Sequence, residues 1–190
     1  MTRFLTSAVS AAQWPESERG YLLVGRSNVG KSTFINCLFG QKIAYVGKTP
    51  GKTRMLNFYQ ADGFTLVDAP GYGYAKRTQK EQLLYRKMMN EYFARRKALK
   101  EVLILLDVRR IPSEDDQIML DYVRQSGIPY RIVITKTDKQ SRNQNIQAVN
   151  KIAAELGEEK ENFVLTDIRR KDVYQELLKQ FSGKEEDLSN

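Results

Sequence analysis

Gly25-Arg26-Ser27-Asn28-Val29-Gly30-Lys31-Ser32 follows the apolar run Tyr21-Leu22-Leu23-Val24 and opens the amphipathic run from Thr33 to Phe39. The order is strand, glycine loop, helix, which is the context that gives the spacing G-x-x-x-x-G-K-S its meaning. With glycines at its two ends the loop backbone wraps closely round a polyphosphate and turns its N–H groups inward. The helix that begins at the loop adds the positive end of its dipole. Lys31 is the residue to neutralise β- and γ-phosphates, and the Ser32 hydroxyl the one to ligate Mg²⁺. These residues describe a site for a nucleoside triphosphate.

The base is decided further along. Val133-Ile134 leads into Thr135-Lys136-Thr137-Asp138, the [N/T]-K-x-D shape of a guanine-binding loop at a strand end. An aspartate there accepts from both N1–H and the N2 amino group of guanine. Adenine offers no such donor pair and would leave a buried Asp138 unpaired. The apolar stem of Lys136 covers the base plane. Between the two loops, Phe64-Thr65-Leu66-Val67 reads as a buried strand ending in Asp68-Ala69-Pro70-Gly71. Asp68 is placed to hold Mg²⁺ through water, and the Gly71 N–H to sense a γ-phosphate and release on hydrolysis. Upstream, Gly47-Lys48-Thr49-Pro50-Gly51-Lys52-Thr53 is a loop with two threonines, one of which should cap the metal in the triphosphate state. Thr53 is preferred because it adjoins the strand Arg54-Met55-Leu56-Asn57-Phe58-Tyr59, whereas Thr49 precedes a proline and is held extended. Gly51, Lys52, Thr53, Arg54 and Met55 are taken as the nucleotide-facing part of this segment. Lys31, Thr53 and Gly71 are the expected catalytic groups.

Taken together, Gly-Arg-Ser-Asn-Val-Gly-Lys-Ser, Pro-Gly-Lys-Thr, Leu-Asn-Phe-Tyr, Val-Asp-Ala-Pro-Gly-Tyr-Gly-Tyr-Ala and Thr-Lys-Thr-Asp-Lys make the chain resemble the EngB (YihA/YsxC) family. Those GTPases belong to the TrmE–Era–EngA–YihA branch of Ras-like switch proteins. The resemblance runs from about Gly20 to Phe181, and the Asp-Ala-Pro-Gly-Tyr-Gly-Tyr-Ala block is its most specific part. It implies a GTPase of large (50S) ribosomal subunit assembly, often linked to cell division and septation. In such proteins the loop after the last strand holds guanine O6 through backbone N–H groups. Here Leu165-Thr166-Asp167 occupies the place of a serine-rich turn, so these three residues are expected either to contact the base or to form a plain solvated loop. Relatives in this branch use an asparagine at the position of Asn28 to help coordinate K⁺. Asn28 is open to that role or to shaping the loop as a left-handed residue.

The coarse map alternates. Strand 20–24, helix 31–39 and loop 40–53 precede strands 54–60 and 64–68, joined by the turn Ala61-Asp62-Gly63. A helix at 80–97, strand 101–107, a helix capped by Ser113 and stopped by Gly127, and strand 130–135 come next. Ile146, Val149, Ile152, Ala153 and Leu156 recur at helical spacing before strand 162–166 and helix 172–181. The short turn makes an antiparallel pair, and the later crossovers demand parallel strands. The expected fold is α/β and Ras-like: a six-stranded, mostly parallel sheet in the order 2-3-1-4-5-6, with helices on both faces. Residues 1–19 are read as an N-terminal arm, 20–182 as the G domain and 183–190 as a charged, frayed tail.

Composition sets bounds. A chain of 190 residues that is 41% hydrophobic suits one domain with one core. It contains no histidine, which excludes histidine acid–base catalysis, histidine triads and histidine metal sites. The lone Cys37 forms no internal disulfide and is expected as a small core residue. With no long apolar run and no signal-peptide pattern, a cytoplasmic chain without membrane insertion is expected. The net charge is +8, with basic clusters at Lys76-Arg77, Arg95-Arg96-Lys97-Lys100, Arg109-Arg110 and Arg169-Arg170-Lys171. Such an excess favours a polyanion beyond GTP, and rRNA of the large subunit, with its proteins, is the partner the resemblance implies. No DNA partner is expected, and a single basic run on a helix is more often a solvated face than a binding site.

On helix 80–97, Leu83, Leu84, Met88, Tyr92 and Phe93 are expected to face inward and Arg86, Lys87, Arg95 and Arg96 outward. Tyr72 and Tyr74 are open to stacking on RNA bases or to packing in the switch core. Ras-type enzymes place a water-orienting glutamine directly after the glycine of Asp-x-x-Gly; here that residue is Tyr72, so slow intrinsic hydrolysis is expected. The expected cofactors are Mg²⁺ (Ser32, Thr53, and Asp68 through water) and K⁺ (Asn28). The function expected is a GTP-binding switch; its alternatives are a basic RNA-binding module in which GTP is mainly structural, and an ATP-dependent kinase of the same fold.

Overall fold

The computed structural model describes residues 1–45, 55–73, 78–94 and 96–183. Its strands are β1 (Arg3–Ala8), β2 (Gly20–Gly25), β3 (Leu56–Ala61), β4 (Phe64–Asp68), β5 (Leu99–Asp107), β6 (Tyr130–Thr135) and β7 (Phe163–Leu165). The helices are α1 (Lys31–Phe39), α2 (Gln79–Ala94), α3 (Glu114–Ser126), α4 (Arg142–Leu156) and α5 (Lys171–Ser182). β2 is buried along its whole length because it lies mid-sheet with both faces covered.

The sheet order is β1-β3-β4-β2-β5-β6-β7 among the described residues. Strands from β3 onward follow the expected 2-3-1-4-5-6 arrangement, with β3 and β4 antiparallel and the β2, β4, β5, β6 and β7 pairings parallel. The correction is at one edge. Part of the expected arm, Arg3–Ala8, is a seventh strand antiparallel to β3, with a register shift between Phe4 and Thr6. Its residues are mostly exposed or half-buried, so it carries no apolar run that would mark it in the sequence.

Two cores flank the sheet. Leu22 and Val24 point to one face, where Met88, Met89 and Phe93 of α2, Met119, Leu120 and Val123 of α3, and Val149 and Ile152 of α4 pack. Tyr21 and Leu23 point to the other, against Phe34, Ile35 and Leu38 of α1 and Tyr174, Leu177 and Phe181 of α5. Helix α2 turns differently from expectation: Leu83 and Leu84 are 69% and 57% exposed. The buried stripe is Tyr85, Met88, Met89, Tyr92 and Phe93, spaced i, i+3, i+4, i+7, i+8. Leu83 and Leu84 fall off that stripe.

Helices α3 and α4 start from capping boxes, Ser113 with Asp116 and Ser141 with Gln144. Cys37 is half-buried against the α1–α5 core. Among the described residues no helix is long and apolar enough to cross a membrane. The topology brings the carboxyl ends of β2, β4, β5 and β6 to one edge, where ligands of open α/β sheets bind.

Candidate nucleotide site

At the end of β2 the chain makes a tight turn, with Val29 N–H donating to Arg26 O at 3.2 Å. Asn28 (φ 64°) and Gly30 (φ 118°) are both left-handed, and α1 begins directly after them with Phe34 N–H donating to Gly30 O at 2.8 Å. The loop-shaping expectation for Asn28 is therefore met, since asparagine tolerates this conformation better than most residues. Lys31 folds back so that its Nζ donates to Gly25 O at 3.3 Å, which sets the ammonium inside the loop. With Ser32 in the first turn of α1, the helix N-terminus, its loop and one cation form an anion site.

Asp68 ends β4 opposite Leu23, and Ala69 N–H donates to Leu23 O at 3.0 Å. The Asp68 carboxyl is buried, and among the described residues its Oδ1 has no hydrogen-bond partner. Burial pushes its pKa up; the Lys31 charge and a hydrogen bond from Asn57 pull against that without cancelling it. A buried, unpartnered carboxylate oxygen at a site that also offers a serine hydroxyl suits a hard cation with oxygen ligands, and Mg²⁺ fits. Asn57 lies opposite Asp68 in the β3–β4 register and its Oδ1 accepts from Ser7 Oγ at 2.6 Å.

Gly71 lies hard against the phosphate loop: a Cβ there would sit 2.8 Å from both Ser27 N and Ser27 Cα. Tyr72 continues the contact, its N–H donating to Gly25 O (3.3 Å) and its carbonyl accepting from Ser27 N–H (3.2 Å). The Tyr72 ring is buried and its hydroxyl donates to Asp116 Oδ1 at 2.9 Å. Of the two roles open to Tyr72, core packing is the one this structure shows. Tyr74 lies outside the described residues.

The loop after β6 is braced from four sides. Lys136 is left-handed (φ 61°), and its Nζ donates to Asn28 O at 2.7 Å and to Asp107 Oδ2 at 2.8 Å. Thr135 Oγ1 lies 2.7 Å from Val29 O. Thr137 Oγ1 donates to Thr166 O, and Asn145 Nδ2 to Thr137 O, each at 2.9 Å. The Asp138 carboxylate is 6% exposed and pairs with Lys139 at 2.8 Å. The base loop and the phosphate loop are thus one bonded unit.

Asp107, which ends β5, escaped the sequence reading. Burial alone would raise its carboxyl pKa, but hydrogen bonds from Arg109 and Lys136 outweigh burial and hold it well below the usual range. Only its pairing with Thr135 across β5 and β6 reveals its place. Asn57, Asn145 and Asp116 were missed for the same reason.

In the 165–167 segment, Thr166 N–H is already engaged with Ile134 O at 2.8 Å. Donation to a base would fall to the turn that begins at Asp167, whose carbonyl accepts from Arg170 N–H at 2.9 Å; Leu165 is exposed. Met55 is 37% exposed before β3, while Gly51, Lys52, Thr53 and Arg54 lie outside the described residues. Of the basic clusters, Arg109, Arg169 and Arg170 pair with Asp107, Asp167 and Asp172. Arg86, Lys87, Lys97 and Lys100 are exposed, and Lys76, Arg77 and Arg95 fall outside the described residues.

Known proteins resemble this chain in sequence and in fold. A family model described as 50S ribosome-binding GTPase matches residues 21–136. A probable GTP-binding protein EngB of Bdellovibrio bacteriovorus is 41% identical over 157 residues, covering 82% of this chain and 78% of that one. Its counterpart in Mycoplasma capricolum subsp. capricolum is 47% identical over 148 residues, 76% of each chain. Among solved structures, a probable GTP-binding protein engB superposes with a TM-score of 0.69 at 22% identity, covering 87% of this chain and 97% of the other. Era in complex with MgGDPNP and nucleotides 1506–1542 of 16S ribosomal RNA gives 0.62 at 23% identity, covering 89% and 57%. At these identities the two structures speak for the fold alone, and the fold is the Ras-like one expected.

Proposed function

The chain belongs to the EngB family of GTP-binding proteins, and from that premise we propose that it is a GTP-driven binding switch of large-subunit assembly. It docks on a pre-50S particle in one nucleotide state and leaves in the other. The observation that carries the reading is the Lys136 bridge to Asn28 O, which joins the loop ending in Asp138 to the phosphate loop. A ligand that spans both loops must present a guanine at one end and phosphates at the other.

In this reading Asp138 selects the base and the Lys136 stem covers it. The loop N–H groups and Lys31 hold the β- and γ-phosphates. Ser32, Thr53 and Asp68 would hold Mg²⁺, which would supply positive charge to the phosphates. Gly71, lying against Ser27, donates its N–H to the γ-phosphate and is released when that group departs. Tyr72 does not take the place of the water-orienting glutamine, because its hydroxyl is turned to Asp116. Intrinsic turnover is therefore slow, at or below roughly 10⁻⁴ to 10⁻³ per second. K⁺ held beside Asn28 would supply positive charge where other GTPases use an arginine.

The name of the matching family model supports a ribosomal partner, and the net charge of +8 suits one. The chain is placed in the cytoplasm, where that partner resides. The test is co-sedimentation with purified 50S particles, with GDP or a non-hydrolysable GTP analogue present. Binding in one state and release in the other supports the switch. Equal binding in both states replaces it with a basic RNA-binding module in which GTP is structural.

A further inference from the structure

The span Ala69-Pro70-Gly71 is pinned at both ends. Ala69 is bonded to β2 at 3.0 Å, and Tyr72 is bonded to the phosphate loop through its own N–H and C=O. The two backbone bonds of Tyr72, at 3.3 and 3.2 Å, are at the long end of the normal range. The side-chain bond to Asp116 Oδ1 is shorter at 2.9 Å, buried, and made to a carboxyl group. Its acceptor does not drift. Asp116 Oδ2 accepts from Ser113 N–H at 2.8 Å and Ser113 Oγ at 2.7 Å, which ties it to the start of α3.

That capping box uses only Oδ2. The helix cap is complete without Tyr72, so Oδ1 has a separate role. Gly71, one residue before Tyr72, lies so close to the loop that a methyl group there would meet the Ser27 backbone at 2.8 Å. The orientation of the Gly71 peptide is then set by where Tyr72 is held.

We infer that Asp116 is a positioning residue: through the Tyr72 hydroxyl it fixes the Gly71 peptide in the place where the γ-phosphate is read. The position that in Ras-type enzymes orients water serves here as an anchor to α3. This rests on the GTP-switch reading, and it predicts a bias between nucleotides rather than a general loss of binding. Gly71 faces a group that GTP has and GDP lacks, so loosening it weakens GTP alone.

The test compares affinities of the full chain, with Mg²⁺, for GDP and for a non-hydrolysable GTP analogue. Tyr72→Phe, which removes only the hydroxyl, should weaken the analogue about tenfold, the scale of one hydrogen bond to a charged group, and leave GDP within about twofold. Asp116→Ala should do the same and also lower the melting temperature. Ser113→Ala keeps the backbone N–H bond that holds Asp116 Oδ2, so it should lower the melting temperature through loss of the side-chain cap and leave the ratio of affinities unchanged. The double variant Tyr72→Phe with Asp116→Ala should shift that ratio no further than either alone. Equal shifts for both nucleotides, no shift, or tighter analogue binding in Tyr72→Phe would overturn the inference, as would a ratio that follows the melting temperature in Ser113→Ala. Failure of the unmodified chain to bind either nucleotide would overturn the switch reading itself, and the inference with it.

Discussion

Asp107→Ala probes the joint that couples the phosphate and base loops. The Asp107 carboxylate receives Arg109 N–H at 3.1 Å, Arg109 Nε at 2.9 Å, Arg109 Nη2 at 2.7 Å and Lys136 Nζ at 2.8 Å. A hydrogen bond to a charged group contributes about 1.5–3 kcal/mol, but these do not sum. The Arg109 side chain is 43% exposed and regains water when its partner goes, so its share falls to about 1 kcal/mol at most. Lys136 is 26% exposed and keeps its bond to Asn28 O, leaving about 1–2 kcal/mol for its lost pair. The expected loss is about 2–3 kcal/mol, read in urea as a lower midpoint at unchanged slope.

The pH dependence has a definite sign. The folded-state pKa of Asp107 is lowered, because the bonds from Arg109 and Lys136 outweigh the effect of burial. Its contribution is complete above the unfolded value of about 3.9 and is lost as pH falls toward the folded one. The stability gap between the parent and Asp107→Ala should stay level from about pH 7 to pH 5 and narrow below about pH 4. A gap under about 0.5 kcal/mol at neutral pH, within the range of ordinary surface substitutions, would refute the argument. So would a gap that widens on acidification.

Asp138→Asn should weaken GTP by about 2–4 kcal/mol and favour xanthosine triphosphate, whose base presents an acceptor where guanine has its N2 donor; undiminished GTP affinity in a competition assay would show the base loop to be misassigned. Gly71→Ala forces a methyl group to 2.8 Å from the Ser27 backbone, an overpacking that costs about 1–3 kcal/mol. It should depress GTP-analogue affinity with GDP affinity retained, and identical titrations of parent and variant would count against the contact. If Asn28 helps hold K⁺, KCl should accelerate hydrolysis over NaCl at equal ionic strength, and removing the carboxamide should abolish the difference. The variant to use is Asn28→Gly, since φ is 64° there and alanine would add backbone strain; equal rates in the two salts leave Asn28 a loop-shaping residue.

Much of the site was legible as contiguous residues. A phosphate loop is a local object: Gly30, Lys31 and Ser32 work through their own backbone and the helix they begin, so their order along the chain states their role. The same holds for Thr135 to Asp138 at the end of an apolar strand, and for the helix start at Ser113, which caps the turn that follows it. Strand order from β3 to β7 also followed, because parallel crossovers and one tight hairpin leave few arrangements.

What required the tertiary structure is every contact between residues distant in sequence. Lys136 meets Asn28 across 108 positions and Tyr72 meets Asp116 across 44, and neither partner carries a local mark of the other. β1 is an edge strand whose half-wet residues show no alternation, so only its pairing with β3 makes it a strand. Leu83 and Leu84 are as apolar as the residues that became core, but helix rotation is set by the whole stripe from Tyr85 to Phe93. Spacing along the chain encodes local geometry; register between strands and the docking of helices decide which local pieces come to share a site.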